Sequence, residues 1–386
     1  MASTYSLDGA MHRTGNPRTL SRLTALAAAV WCVLLPPPVQ ADAPPVRHVF
    51  LIVLENQTYN VTFGRDSQAP YLAQTLTKQG VLLPNYYGIG HWSLDNYIAL
   101  ISGQAPNEST QGDCPIFSEF QLSSPALDAH GQALGVGCVY PQMVKTLPDE
   151  LESAGFTWKA YMEDMGKDPS RESATCAHSA VNSTENLLHA TVKDQYAVKH
   201  DPFVYFHTII DDQARCDSHI VNLHQLPKDL SDAASAPNYA FITPNLCNDG
   251  HDTPCIDQQP GGLVSADAFL HKWVPLITGS AAFKKDGLLI ITFDESDGRG
   301  PDGSTACCGE QGLSGANTPP GMQGPGGGRI GAVLISPFIK PGTTSRASYN
   351  HYSLLRSVAG FFNVEPLGFA AEEKLRPFGA DVFSAP

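Results

Sequence analysis

Two uninterrupted apolar runs in this chain end in pairs of oxygen-bearing side chains, one of them Glu-Asn and the other Asp-Glu. Arg47-His48-Val49-Phe50-Leu51-Ile52-Val53-Leu54 stops at Glu55-Asn56, and Leu288-Leu289-Ile290-Ile291-Thr292-Phe293 stops at Asp294-Glu295. Short runs of this kind, rich in β-branched residues and bounded by polar ones, read as strands buried on both faces of a parallel sheet. Open α/β sheets place their ligands beyond the carboxyl ends of such strands. Oxygen side chains arriving there from two strand ends can hold a divalent cation, although each pair also reads as an ordinary solvated strand end.

A second segment, Gly88-Ile89-Gly90-His91-Trp92-Ser93, leads into the apolar stretch Leu94–Ser102 and stops at Gly103. The glycine-rich approach delivers a hydroxyl to the first turn of a helix. Free N–H groups and the helix dipole favour anions there. Ser93 is then either a plain N-cap, which the local pattern alone favours, or a nucleophile that receives a phosphoryl group beside a metal.

These segments need a framework, and the rest of the chain supplies one. Ile330–Ile335 is a third strand run, with Phe203–Ile210 and Tyr239–Thr243 as weaker candidates. Helical patterns lie between them at Pro70–Gln79, Leu94–Ser102, Met143–Ala154 and Ala266–Leu276, three of them followed by glycine at the stop position. Strand and helix alternating in this way indicate an α/β fold with a mainly parallel central sheet flanked by helices. The stretch 298–328 is crowded with Gly and Pro and reads as a long loop beside the active edge.

The first 41 residues read as a signal peptide: Arg13, Arg18 and Arg22, then an apolar run to Leu35, then small residues ending at Ala41. The expected product is a secreted or periplasmic single domain over residues 42–386. No later stretch has the roughly 18 apolar residues of a membrane helix, so stable membrane insertion is not expected. Removing the leader takes away three Arg and Asp8, a net +2, which changes the charge from −14 to −16. So acidic a chain has no broad attraction for nucleic acid. Cys32 leaves with the leader, and the eight remaining cysteines favour disulfides in an exported protein. No CxxC pair supports zinc. Cys247 and Cys255 bracket a short turn-rich segment containing His251, where a local disulfide would hold the loop.

Taken in order, these segments resemble the phosphoesterase family of secreted acid phosphatases and bacterial phospholipases C, within the alkaline-phosphatase-like superfamily. The resemblance runs through Glu55-Asn56, His91-Trp92-Ser93-Leu94-Asp95-Asn96-Tyr97, Trp158–Glu163, Lys199–Phe203, Thr243–Asp252, Thr292–Glu295, Leu334–Phe338 and Asn350–Ser353. It implies an alkaline-phosphatase-like fold and Ser93 as nucleophile. It implies Glu55, Asn56, Ser93, Asp294 and Glu295 as metal ligands, with His91, His200, His251 and His351 around the phosphoryl group and Asp249 orienting His251. Two departures are Trp92, where proline is frequent, and Glu295, where some relatives have Asp. So oxygen-rich a ligand set implies one hard cation, calcium, magnesium or manganese rather than zinc. The implied substrate is a phosphate ester, either a small molecule or a phosphoinositide headgroup, and the implied activity is an acid phosphomonoesterase. A phospholipase C shares such a site, and a non-catalytic binding protein on a degenerate enzyme fold is the reading from another class.

Overall fold

The apolar runs are strands. A computed structural model describes residues 44–310 and 324–383, and the expected leader lies outside the described residues. Eight strands form the main sheet: β1 His48–Leu54, β2 Val81–Leu83, β3 Trp158–Met162, β4 Ile220–Asn222, β5 Tyr239–Thr243, β6 Gly287–Phe293, β7 Ala332–Ile335 and β8 Thr343–Thr344. Their order across the sheet is β8-β2-β7-β6-β1-β5-β3-β4. Every residue of β1, β5 and β6 is buried, as continuous apolar sequence requires of central parallel strands. The strands at the two edges, β4 and β8, are only two or three residues long, which limits the unpaired backbone that an edge exposes.

The parallel expectation holds for every adjacent pair except those made by β7, which runs antiparallel to both β6 and β2. An antiparallel neighbour can be reached without crossing the sheet. The chain that leaves β6 at Asp294 therefore starts and finishes its excursion at the same sheet edge. Within the described part of that excursion, Ser296 N–H donates to the Gly327 carbonyl (2.8 Å), and Gly88 bonds two successive residues at this edge, its N–H donating to the Gly328 carbonyl (3.0 Å) and its carbonyl accepting the Gly327 N–H (3.1 Å).

The helices of the described chain include α1 Ser93–Ser102, α2 Leu147–Ser153, α3 Gly262–Gly279 and α4 His351–Phe362. Helix α2 is shorter than the pattern Met143–Ala154 suggests, because Thr146 and Asp149 form a capping box that fixes the start. The pattern at Pro70–Gln79 is a π-helical turn over Tyr71–Leu76 running into Thr77–Gln79. Phe203–Ile210, expected as a strand, is instead a 3-10 turn over Pro202–Tyr205 followed by a helical turn over His207–Ile210. Its apolar run is core all the same: Phe203 stacks on Trp158 (5.0 Å) and meets Phe241 edge-on (5.2 Å). Pro202 has a φ suited to the first helical position, and an apolar run alone does not separate a strand from a buried helix.

The eight cysteines pair as Cys114–Cys138, Cys176–Cys216, Cys247–Cys255 and Cys307–Cys308. The local Cys247–Cys255 link matches the expectation from the loop it brackets.

Helix α4 packs against α1 and starts at Asn350, whose Oδ1 accepts the Ser353 N–H (2.9 Å) while its Nδ2 donates to Glu310 Oε1 (2.8 Å). Asn350→Ala removes both bonds and is expected to lower the melting temperature by roughly 2–4 °C, the effect of losing about 1–2 kcal/mol of cap. Asn350→Ser, which keeps a capping oxygen, is expected to recover part of it. Thermal denaturation followed by circular dichroism measures both.

Candidate active site

Strand β1 lies between β5 and β6, so residues just past their carboxyl ends converge. The ladders continue one step beyond the strands: Glu55 N–H donates to the Asp249 carbonyl (2.8 Å) and Asp294 N–H to the Leu54 carbonyl (2.8 Å). This backbone lattice brings Glu55, Asp249, Asp294 and Glu295 to one spot, and all four are buried, Glu55 at 1% exposure and Asp294 at 0%. Asp294 Oδ1 accepts the N–H groups of Asn56 (3.0 Å) and Glu295 (2.5 Å). Asn56 sits at φ 56°, a left-handed conformation that asparagine tolerates better than most residues. Its Nδ2 donates to Glu55 Oε2 (2.9 Å).

Ser93 comes to the same carboxylate oxygen, its Oγ donating to Glu55 Oε2 at 2.8 Å. Asn96, buried one turn into α1, fixes this approach. Its Oδ1 accepts the N–H groups of Ile89 (2.7 Å) and Gly90 (3.2 Å), and its Nδ2 donates to the carbonyls of Gly90 (3.0 Å) and Trp92 (3.2 Å). Gly88 presses on the Asp294 carbonyl, where a Cβ would come within 2.7 Å of the oxygen, so no larger residue fits. Trp92 holds φ 99° and ψ 130°, a region whose strain is typically about 1–3 kcal/mol for a residue with a side chain.

The histidines divide by what occupies their ring nitrogens. His91 Nδ1 bonds Glu295, and its Nε2 faces the Gly303 carbonyl (2.7 Å) and Ser304 Oγ (3.1 Å). Burial works against its charge, but Glu295 and Gly303 hold the imidazole above its ordinary value. His351 Nε2 donates to the Asp294 carbonyl (2.6 Å), which leaves Nδ1 to accept from Tyr86 OH (3.1 Å). Burial pushes this imidazole down to about 4, so it is neutral and its hydrogen bonds serve to hold Asp294. His200 differs: Nε2 lies 3.2 Å from Glu55 Oε1 and Nδ1 3.9 Å from Asp249 Oδ2. Neither of its nitrogens has a hydrogen-bond partner, and the ring stacks on Tyr97 at 5.1 Å. His251 is not brought into the cluster. Its side chain is 51% exposed and faces Asp252 at 3.5 Å, while Asp249 accepts its backbone N–H (2.9 Å) rather than its ring.

Two charged residues that composition and spacing do not single out complete the arrangement. Lys199 Nζ donates to Asp113 Oδ2 (3.0 Å), and Asp113 Oδ1 accepts the Leu94 N–H (3.0 Å) in the first turn of α1. Burial opposes the Lys199 charge, but Asp113 and Glu55 hold its pKa above the ordinary lysine value. Glu55 in turn lies below the usual carboxylate range: burial works against ionisation, and His200 and Lys199 outweigh it. Burial, then the neighbouring Glu55 charge, pushes both Asp294 and Asp249 well above that range.

Glu55 Oε1, Asp249 Oδ2 and Asp294 Oδ2 are buried without partners. Such oxygens are rare unless something satisfies them, and as hard donors they suit calcium, magnesium or manganese. Among the described residues, the groups of His, Cys, Asp and Glu whose ligand atoms lie within 4.8 Å of one another are Cys247, Cys255, Asp257 and Cys307, Cys308, Glu310. Their sulfurs are spent in disulfides. The acidic cluster is not among these groups; beside it, Asn56 Nδ2 and Ser93 Oγ both reach Glu55 Oε2. Glu295 has both oxygens engaged, by His91 and by the Trp92 N–H (3.1 and 3.3 Å). A cavity of about 560 Å³ opens elsewhere, lined by Ser102, Gln104 and Lys145 among others, at the far end of α1 from Ser93. It contains none of this chemistry.

Residues 66–365 match the Phosphoesterase family, and the chain belongs to that family. It is 26% identical over 325 residues to a probable acid phosphatase of Kluyveromyces lactis, covering 83% of this chain and 59% of that protein. It is 26% identical over 296 residues to a phosphate-repressible acid phosphatase of Penicillium chrysogenum, covering 76% and 54%. An acid phosphatase of Aspergillus fumigatus aligns at 24% identity over 95% of this chain and 66% of that one. The chain thus spans between about half and two thirds of the length of these relatives. Among solved structures it is similar to a Vibrio parahaemolyticus protein of the alkaline phosphatase superfamily, with a TM-score of 0.49 and 13% identity over 89% of this chain and 72% of that one.

The turn bearing Lys199 and His200 continues into Asp201, which is fully buried and accepts from Tyr196 OH (3.2 Å). Burial pushes this carboxyl up to about 8. An acid whose folded pKa is raised binds its proton more tightly when folded, so its effect on stability is most favourable at low pH and declines as pH rises from about 4 toward 8. Asp201→Asn keeps the acceptor and removes the titration. It is expected to raise the melting temperature by roughly 3–6 °C at pH 8 and by progressively less toward pH 5. A gain independent of pH would contradict the assignment.

Proposed function

We propose that this protein is an exported, metal-assisted phosphomonoesterase of the acid phosphatase kind, with Ser93 as the phosphoryl acceptor. The observation that carries the reading is the Ser93 Oγ to Glu55 Oε2 hydrogen bond of 2.8 Å at the start of α1, directed into a cluster of buried carboxylates. The relatives named acid phosphatase support the substrate class. Paired cysteines throughout the described chain support passage through an oxidising compartment.

In this reading Ser93 Oγ attacks phosphorus in line with the ester oxygen. The P–O bond to the alcohol breaks as the Oγ–P bond forms, and water later cleaves the phosphoserine to release inorganic phosphate. The start of α1 presents backbone N–H groups suited to the transferred anion. We assign proton transfer to His200, because its ring nitrogens face the carboxylates of Glu55 and Asp249, whereas those of His91 and His351 are committed to Glu295, Gly303, Tyr86 and the Asp294 carbonyl. His91 and His351 then act as positioning residues, for Glu295 and Asp294 respectively. His251, facing solvent, is left to meet substrate at the mouth of the site. A hard divalent cation held by Glu55, Asn56, Ser93 and Asp294 would favour the serine alkoxide and neutralise phosphoryl oxygens.

Ser93→Ala is expected to lower kcat on a chromogenic phosphate monoester at least about a thousandfold, in line with loss of a covalent nucleophile, while the melting temperature stays near that of the parent. Substantial residual turnover would remove Ser93 from this role.

Prolonged chelation should abolish turnover, and calcium, magnesium or manganese should restore it. Asp294→Asn is expected to raise the cation concentration needed for half-restoration about tenfold or more, since it removes a charge from the site. Full activity after exhaustive dialysis against chelator would dispose of the metal. A diester assayed beside the monoester tests the phospholipase C alternative.

A further inference from the structure

Trp92 lies between two residues buried in the site, His91 and Ser93, yet its own side chain is 48% exposed. Among the described residues it is the only tryptophan, tyrosine or phenylalanine left exposed, and no ring or cation stacks on it. The indole therefore contributes little to the core.

Its backbone makes the choice of residue more informative. At φ 99° and ψ 130° the chain occupies a region that glycine enters freely and that other residues seldom adopt. Hydrogen bonds on both sides impose this shape, the Trp92 N–H on Glu295 (3.1 Å) and the Trp92 carbonyl under Asn96 Nδ2 (3.2 Å). The kink immediately precedes Ser93, whose Oγ donates to Glu55 Oε2 (2.8 Å). Glycine would supply it without strain. A large aromatic residue held in a glycine conformation, unburied and next to the nucleophile, is explained by a use for the side chain.

We infer that the Trp92 indole is a specificity element, a platform for a flat aromatic group on the alcohol side of the phosphate ester. The inference rests on the reading of Ser93 as the phosphoryl acceptor. Consecutive Cα atoms are about 3.8 Å apart, so the indole is within reach of a group attached at a phosphate bound by Ser93. Aryl monoesters place their ring there. Small aliphatic esters such as glycerol 2-phosphate have nothing to stack.

The test compares the purified parent with Trp92→Gly, which accepts the backbone conformation and is expected to melt at or above the parent temperature, and with Trp92→Phe. Steady-state kinetics on phenyl phosphate and glycerol 2-phosphate give the ratio of the two kcat/KM values. Trp92→Gly is expected to lower that ratio about tenfold, mainly through KM for phenyl phosphate, the size expected of one aromatic stack, and Trp92→Phe to restore most of it. Parallel losses on both esters, or no change in the ratio, would overturn the platform.

Calorimetric titration with phenylphosphonate and methylphosphonate decides the same point without turnover. The parent is expected to bind the phenyl compound about tenfold more tightly, and Trp92→Gly to bind the two alike. If the parent hydrolyses neither ester, the assignment of Ser93 fails, and the phosphonates still judge the platform. Equal affinities in the parent, or no binding of phenylphosphonate, would end it.

Discussion

Four carboxylates buried at one sheet edge are the constraint on which the rest of this structure depends. Two unit charges about 4 Å apart interact by ~4 kcal/mol even at the effective dielectric of a protein near its surface, and Glu55, Asp249, Asp294 and Glu295 have little water to screen them. Left alone, such a cluster would protonate or spread apart. The fold holds the cluster together by compensating Asp294, Glu295 and Glu55 separately, while burial and the Glu55 charge still push the Asp294 and Asp249 carboxyls well above the usual range. Asp294 takes two backbone N–H groups, Glu295 takes His91 and the Trp92 N–H, and Glu55 takes Ser93 and Asn56 while facing His200. The buried oxygens left over on Glu55, Asp249 and Asp294 mark where the compensation within the chain stops.

Because that balance is local, the groups that maintain it are held by bonds and not by packing alone. Lys199 reaches α1 through Asp113, so one half-buried cation both offsets the acids electrostatically and ties down the first turn that carries Ser93. His351 holds the Asp294 carbonyl and is in turn held by Tyr86. The Cys307-Cys308 segment joins the same framework, since the Cys308 N–H donates to Glu310 (2.9 Å) and Glu310 accepts from Asn350 at the start of α4. A chain of hydrogen bonds thus runs from the loop after β6, through α4, back to the carbonyl of the residue where that loop begins.

How much of this is legible in the sequence depends on which interactions leave a pattern there. Strands β1, β5 and β6 are buried on both faces, so each is a continuous apolar run, and the polar residues after β1 and β6 mark the acidic edge. Ser93 is visible because a glycine-rich approach precedes an apolar helix. Strand β3 is hidden because Lys159 interrupts its apolar run, and only the structure shows the lysine reaching Asp229 (2.8 Å). Asp113 is invisible for a related reason. It lies 19 residues from its partner Leu94, at φ 54° beside Cys114, and no periodicity connects them. The histidines show the limit most plainly. Resemblance groups His91, His200, His251 and His351 together, but the state of a ring depends on what its two nitrogens touch, and those partners come from Gly303, Tyr86, Asp249 and Asp294, far apart in the chain.

The antiparallel turn of β7 gives the arrangement its one-sidedness. A parallel successor to β6 would have required a crossover to the opposite end of the sheet before returning. By reversing direction, the chain keeps both ends of the 294–331 excursion on the edge where the acids lie. Gly327 and Gly328 can then bond Gly88, and the Gly303 carbonyl can reach His91. Asn56 and Trp92 hold positive φ at that edge, while β1, β5 and β6 beneath it are fully buried and paired on both sides. Strain survives only where its surroundings over-determine it. A rigid parallel core below and a hydrogen-bonded loop above are the two surroundings that let a tryptophan keep a glycine's conformation one residue from Ser93.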